Sequence, residues 1–189
     1  MNRAMKLVIG CSLAAGLAGL SGCDTAPKSQ EDKTALTAQA SGALQAFKST
    51  DSTLDTLLGK SVGYAIFPSV GKAGFIAGGS FGRGEVYEGG RMIGWADISQ
   101  GTVGLQIGAQ TFDQLIIFMT QESLNQFKSN QFTFAANASA VAIKPGAAST
   151  ADYSKGVVAF VKPTGGAMAE ASIGGQRFTF QAVGSGGSY

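Results

Sequence analysis

Residues 63–87 read GYAIFPSVGKAGFIAGGSFGRGEVY, seven glycines set among aromatic and aliphatic residues with one lysine and one arginine. Such a run is either a phosphate-cradling loop or a sheet whose glycines serve packing. A P-loop requires glycine, four residues, then Gly-Lys-Ser/Thr. Here Gly71-Lys72 is followed by Ala73, and Ile66 stands where the first glycine belongs. A dinucleotide fingerprint needs G-x-G-x-x-G opening a helix. Gly82-Arg83-Gly84 instead continues into Glu85-Val86-Tyr87, which reads as strand. Glycine inside strands marks bulges, bends or close backbone approach. Further glycines at 101, 104 and 108 continue the style. The stretch predicts sharply curved sheet and no nucleotide loop.

Outward from it the pattern is antiparallel. Glu88-Gly89-Gly90-Arg91 is a two-residue hairpin signal between apolar alternations, with Glu88 and Arg91 placed to pair across it. Leu115 to Met119 is apolar on both faces and predicts a central buried strand, and residues 122–128 predict a short helix. Strands are expected at 131–143, 155–163, 167–173 and 176–183, the last two joined by Gly174-Gly175, with KPGAAST (144–150) as a loop. The strand of residues 61–70 is expected to end at Pro68. Asp113 interrupts an apolar strand and needs a hydrogen-bond partner if buried. Before the strands, Ser29 and Asp32 form a capping-box signature, and Leu36, Ala40, Ala43 and Phe47 recur at helical spacing. Ser52 and Asp55 repeat the cap before a second short helix that Gly59 would stop. The fold class is α+β, mainly β: curved antiparallel sheets, sandwich or barrel-like, with N-terminal helices packed on one side.

The first 22 residues have a different character. Arg3 and Lys6 precede the apolar run Leu7–Leu20, which has the length of a signal-peptide core. LSGC, residues 20–23, resembles the lipobox of bacterial lipoproteins. That resemblance implies cleavage after Gly22 and acylation of Cys23 by diacylglycerol and a palmitate-type chain. Two or more chains suffice for stable anchoring. The expected organisation is therefore a lipoprotein signal peptide (1–22), an acylated tether (23–30) and one domain (31–186). The location is the bacterial envelope, with inner against outer membrane left open. Loss of the signal removes Cys11, Arg3 and Lys6, leaving 12 basic residues against 12 acidic ones. A neutral chain argues against nucleic acid as a partner. The sequence contains no histidine, which removes the usual general base, Ser–His and Cys–His pairs and imidazole metal ligands. No enzyme, cofactor or metal site is expected.

Lys60–Tyr87, with Gly94-Trp95, GLQIGAQ at 104–110 and Ser154–Gly156, resembles the SYLF domain family. The resemblance implies binding of acidic phospholipids, as in eukaryotic members, of which the phosphoinositide-binding ones also use a basic amphipathic N-terminal helix and some bind actin. The first helix here carries only Lys33 and Lys48, and actin is no partner for an envelope protein. The resemblance implies a membrane-anchored protein that binds phospholipid with acidic headgroups. The alternative is an envelope protein-docking module with no lipid ligand beyond its own anchor. Candidate lipid contacts are Lys72 and Arg83, inside the glycine-rich motif, with Lys60 and Arg91 beside it. Each would be worth about 1 kcal/mol near an anionic surface; the competing reading makes them solubilising edge charges. Trp95, Phe67, Phe75 and Phe81 are expected in the core.

Overall fold

The computed structural model describes residues 27–74, 77–103, 108–132, 140–165 and 175–184. Helix α1 spans Gln30–Thr50. The Ser29 hydroxyl accepts the Asp32 N–H at 3.0 Å and the Asp32 carboxylate accepts the Ser29 N–H at 3.3 Å, the reciprocal box its sequence predicts. Leu36, Ala40, Ala43 and Phe47 are its buried stripe. Helix α2, Leu54–Lys60, differs from expectation at both ends. Ser52 is exposed, and Asp51 supplies the carboxylate, accepting the Thr53 N–H at 3.0 Å and the Thr53 hydroxyl at 2.6 Å. Gly59 lies inside the helix rather than beyond it.

Seven strands follow: β1 (Gly63–Gly74), β2 (Ala77–Glu88), β3 (Arg91–Val103), β4 (Gly108–Phe118), β5 (Ala140–Ala142), β6 (Val157–Gly165) and β7 (Arg177–Ala182). They form one sheet of order β5-β6-β4-β1-β2-β3-β7. All pairings are antiparallel except β5 with β6. Helix α3, Gln121–Lys128, and helix α4, Ala147–Thr150, complete the described elements. Helix α4 falls in the segment read as loop. Of the strand expected at 131–143 the described part is β5; the segment 167–173 and Gly174 lie outside the described residues.

β1 does not stop at Pro68. It runs through as a central strand because a bulge absorbs the missing N–H: the register shifts between Phe67 and Val70 against β4, and Ser69 adopts φ 55°. Asp113 on β4 holds the bulge, accepting the Ser69 N–H at 3.0 Å. This is the partner its burial required.

The sheet curls strongly. β4 and β7 are separated by three strands, yet the amides of Gln114 on β4 and Gln176, just before β7, exchange hydrogen bonds of 2.8 and 3.0 Å. Both are fully buried. Inside the curl, Phe67, Ile116, Phe118 and Phe178 pack with Leu124 and Phe127 of α3. On the outer face, Ile66, Leu115, Ile117 and Phe160 pack with Phe47 of α1 and Leu54 and Leu57 of α2. Alternate residues of β4 thus enter two different cores, as its doubly apolar sequence predicts. Glycine permits the close layers: a Cβ on Gly84 would overlap the Ile66 carbonyl oxygen and the Phe67 ring. At the hairpin, Gly89 and Gly90 take φ 56° and 77°, the left-handed pair that a two-residue turn needs.

Candidate functional site: an uncovered groove beside the start of α1

Cross-strand partners share a sheet face, so the register of β2, β3 and β7 defines three rows on the outer side. They are Phe81/Ser99/Arg177, Arg83/Asp97/Thr179 and Glu85/Trp95/Gln181. The N-terminal half of α1 covers the third row. Leu36 packs on Trp95, the Lys33 ammonium lies 5.1 Å over the Trp95 ring, and the Thr37 hydroxyl donates to Glu85 at 2.6 Å. The Tyr87 hydroxyl donates to the other Glu85 oxygen at 2.7 Å. Burial first, then that hydrogen bond and the adjacent negative charge, pushes the Tyr87 hydroxyl far above its ordinary pKa. The Tyr87 ring stacks on Tyr64, centroids 4.7 Å apart.

α1 leaves the other two rows uncovered. There a groove of about 570 Å³ opens, lined by Phe81, Arg83, Asp97, Ser99 and Thr179 over Gly82 and Ile98. Phe81 is 68% exposed, a correction to its expected place in the core. The cause is register: Phe81 pairs with Gly71, which offers no side chain to pack on, and α1 begins over the Trp95 row. Trp95 and Phe67 are buried as expected; Phe75 lies outside the described residues. The Arg83 guanidinium is fixed by Asp97, Nε to Oδ1 2.9 Å, both groups partly exposed. A pair in that setting contributes at most about 1 kcal/mol to stability, so its larger effect is orientation.

The remaining predicted cations are elsewhere. Lys72 pairs with Ser80, an odd number of residues along β2 from Arg83, so the register puts the two positions on opposite sheet faces. The Lys72 side chain and Cys23 lie outside the described residues. Arg91 is exposed at the hairpin. Its cross-strand neighbour Glu88 turns instead to Gln121 at 2.7 Å and Lys128 at 3.0 Å, which correct the expected Glu88–Arg91 pair and hold the Glu88 carboxyl below its usual range. Lys60 closes α2 and lines a separate cavity of about 290 Å³ between α2 and α4. Asp51 ties those two helices. Its carboxylate accepts the Ala148 N–H at 2.7 Å in addition to Thr53. Burial would raise its pKa, but the donors of Ala148, Thr53 and Gly146 outweigh it and hold the group low.

The structure therefore joins Arg83 to Phe81, Asp97, Ser99 and Thr179, and among the described side chains neither Lys60 nor Arg91 lines this groove. Sequence reasoning did not place Asp97 beside Arg83, and it missed Thr179. The hairpin was the available signal, yet counting back from the turn pairs Arg83 with Ala96. The extra residue Ile93 in β3 shifts that to Asp97.

Residues 99–183 match the family model Ysc84, described as Las17-binding protein actin regulator. That match is to the SYLF family that the sequence resembles, over residues 99–183. No curated protein matches the chain. The matched residues run from within β3 to the end of β7, while β1 and β2, with the glycine-rich stretch, lie between β3 and β4 in the same sheet. The groove takes Ser99 and Thr179 from inside the matched residues and Phe81, Arg83 and Asp97 from before them. Among the described residues no cluster of three His, Cys, Asp or Glu side chains is placed to hold a metal ion, and no helix is long and apolar enough to cross a membrane.

Proposed function

We propose that the chain is a membrane-anchored lipoprotein of the bacterial envelope whose SYLF domain binds acidic phospholipid, with Phe81 and Arg83 as the contact. One observation carries the reading: an exposed phenylalanine stands beside an oriented guanidinium in an uncovered groove at the starting end of α1. An aromatic ring gains by entering the interfacial region, and a guanidinium matches phosphate geometry with its fork of donors. The lipobox supports the anchoring half. Cys23 is seven residues before Gln30, a reach of at most about 25 Å for extended chain. An anchor there keeps the start of α1, and with it the groove, close to the bilayer surface. The reading is of a binding protein rather than an enzyme. The family description's Las17 and actin are not carried over, because an envelope protein does not meet them.

Residues 24–189 contain every described element and lack the anchor, so their co-sedimentation with vesicles tests the proposal. Vesicles containing phosphatidylglycerol should retain the protein at low salt and release it at high salt, and neutral vesicles should not retain it. Equal retention by both, or by neither, contradicts the lipid reading. Retention by neither, together with recovery of one crosslinked envelope protein through Phe81, would favour the docking-module alternative.

A further inference from the structure

We propose that the cleft between α2 and α4 binds a phosphate ester through Lys60, Thr56 and Tyr153, independently of the groove at Phe81. Thr53, Thr56, Leu57 and Lys60 fall at i, i+3, i+4 and i+7, a single face of α2. Leu57 is buried into the core, leaving Thr56 and Lys60 at the exposed rim. Ala148, Ser149 and the 43% exposed Tyr153 form the facing wall. Among the described residues the lining offers one ammonium and four hydroxyls and no carboxylate.

Which of these groups are already committed decides what the cleft can do. The Thr53 hydroxyl donates to Asp51 and the Ser149 hydroxyl to the Gly146 carbonyl. Among the described residues, Lys60 has no ion-pair partner, and the hydroxyls of Thr56 and Tyr153 have no hydrogen-bond partner. Three uncommitted donors, one of them charged, therefore face a cavity of about 290 Å³. That is the lower end of ligand-site volumes, suited to a small polar group and too small for an acyl chain.

The nearby carboxylates each have their own partners. Asp55 pairs with Lys48 at 2.8 Å, and Asp152 accepts the Ser154 N–H at 2.9 Å. Asp51 spends its oxygens on Thr53 in one wall and Ala148 in the other, which fixes the width of the cleft before any ligand arrives. An anion with several acceptor oxygens matches this donor set, and a phosphate ester is that chemistry whether it comes from a soluble metabolite or a lipid headgroup.

The test uses the full chain purified in a nonionic detergent, its thermal midpoint followed at constant ionic strength with chloride as the control salt. Glycerol phosphate forms one arm, and micelles doped with phosphatidylglycerol form the other. A rise with glycerol phosphate that Lys60→Gln weakens about tenfold or more in apparent Kd, and that Tyr153→Phe weakens less, supports a soluble ester. A rise confined to doped micelles and lost in Lys60→Gln supports a headgroup. Lys60 is exposed, so Lys60→Gln is expected to fold, and its circular dichroism checks this. No rise in either arm, or one unchanged in Lys60→Gln, overturns the proposal.

Discussion

Replacing Asp51 by alanine tests how the helices are held on the sheet. The carboxylate is 1% exposed and accepts three hydrogen bonds, from Ala148 N–H at 2.7 Å, Thr53 hydroxyl at 2.6 Å and Thr53 N–H at 3.0 Å. Alanine strands the buried Ala148 N–H, at about 1–3 kcal/mol, whereas the half-buried Thr53 donors recover water and cost about 0.5–1 kcal/mol together. The expected loss is about 1.5–4 kcal/mol, which for a chain of this size lowers the thermal midpoint by roughly 3–16 °C. Asp51→Asn should lose nearly as much, since its amide turns a donor toward one of the same donors. Ser52→Ala, at the exposed position the sequence nominated as cap, should be nearly neutral.

Acid gives a second readout. Burial works against the charged form of Asp51, but its donors outweigh burial and depress the folded pKa. Its stabilisation is therefore complete above the unfolded carboxyl's value, about 4, and is lost as pH falls through the lower folded value. The gap between wild type and Asp51→Ala should be full at pH 7 and shrink on acidification below about pH 4. Thermal melts by circular dichroism across that range measure it. An Asp51→Ala variant within about 0.5 kcal/mol of wild type at pH 7, or a gap that widens in acid, would refute the reasoning.

Two further expectations concern packing. Gly84→Ala should destabilise by about 1–3 kcal/mol or more in urea titration, because its Cβ meets the Ile66 carbonyl and the Phe67 ring; Gly59→Ala, in α2 with nothing within 4 Å, should instead stabilise by up to about 1 kcal/mol. Gln114→Leu should cost about 1–3 kcal/mol by orphaning the buried Gln176 amide, and Gln114→Leu/Gln176→Leu should recover most of that loss, a pattern that equal losses in both variants would contradict.

Local signals were legible in the sequence. The Ser29–Asp32 box, the α1 stripe, the Gly89-Gly90 turn and the two-faced β4 each depend on residues within a few positions of one another. What escaped depends on distant partners. Pro68 reads as a strand end until Asp113, 44 residues after Ser69, is known to hold the bulge. The second cap was misassigned because Asp51 was free to serve two helices, one of them almost a hundred residues away. Phe81 looks like core on composition alone; its exposure follows from Gly71 beside it and from where α1 begins. Glu88 passed over Arg91 because α3 brings Lys128 and Gln121 alongside. The candidate site was half visible, Arg83 by its motif, while Asp97 and Thr179 waited on the Ile93 shift and the β3–β7 pairing.

The most direct test of the phospholipid contact is the emission of Phe81→Trp in residues 24–189. The chain's single native tryptophan, Trp95, is buried, so a red-emitting signal reports position 81. Anionic vesicles should shift that emission to the blue and expose it to quenching by brominated lipid, reversibly with salt, and Arg83→Ala should abolish the shift. Emission that stays red and unquenched while the protein co-sediments with the same vesicles would place the membrane contact elsewhere and contradict the account.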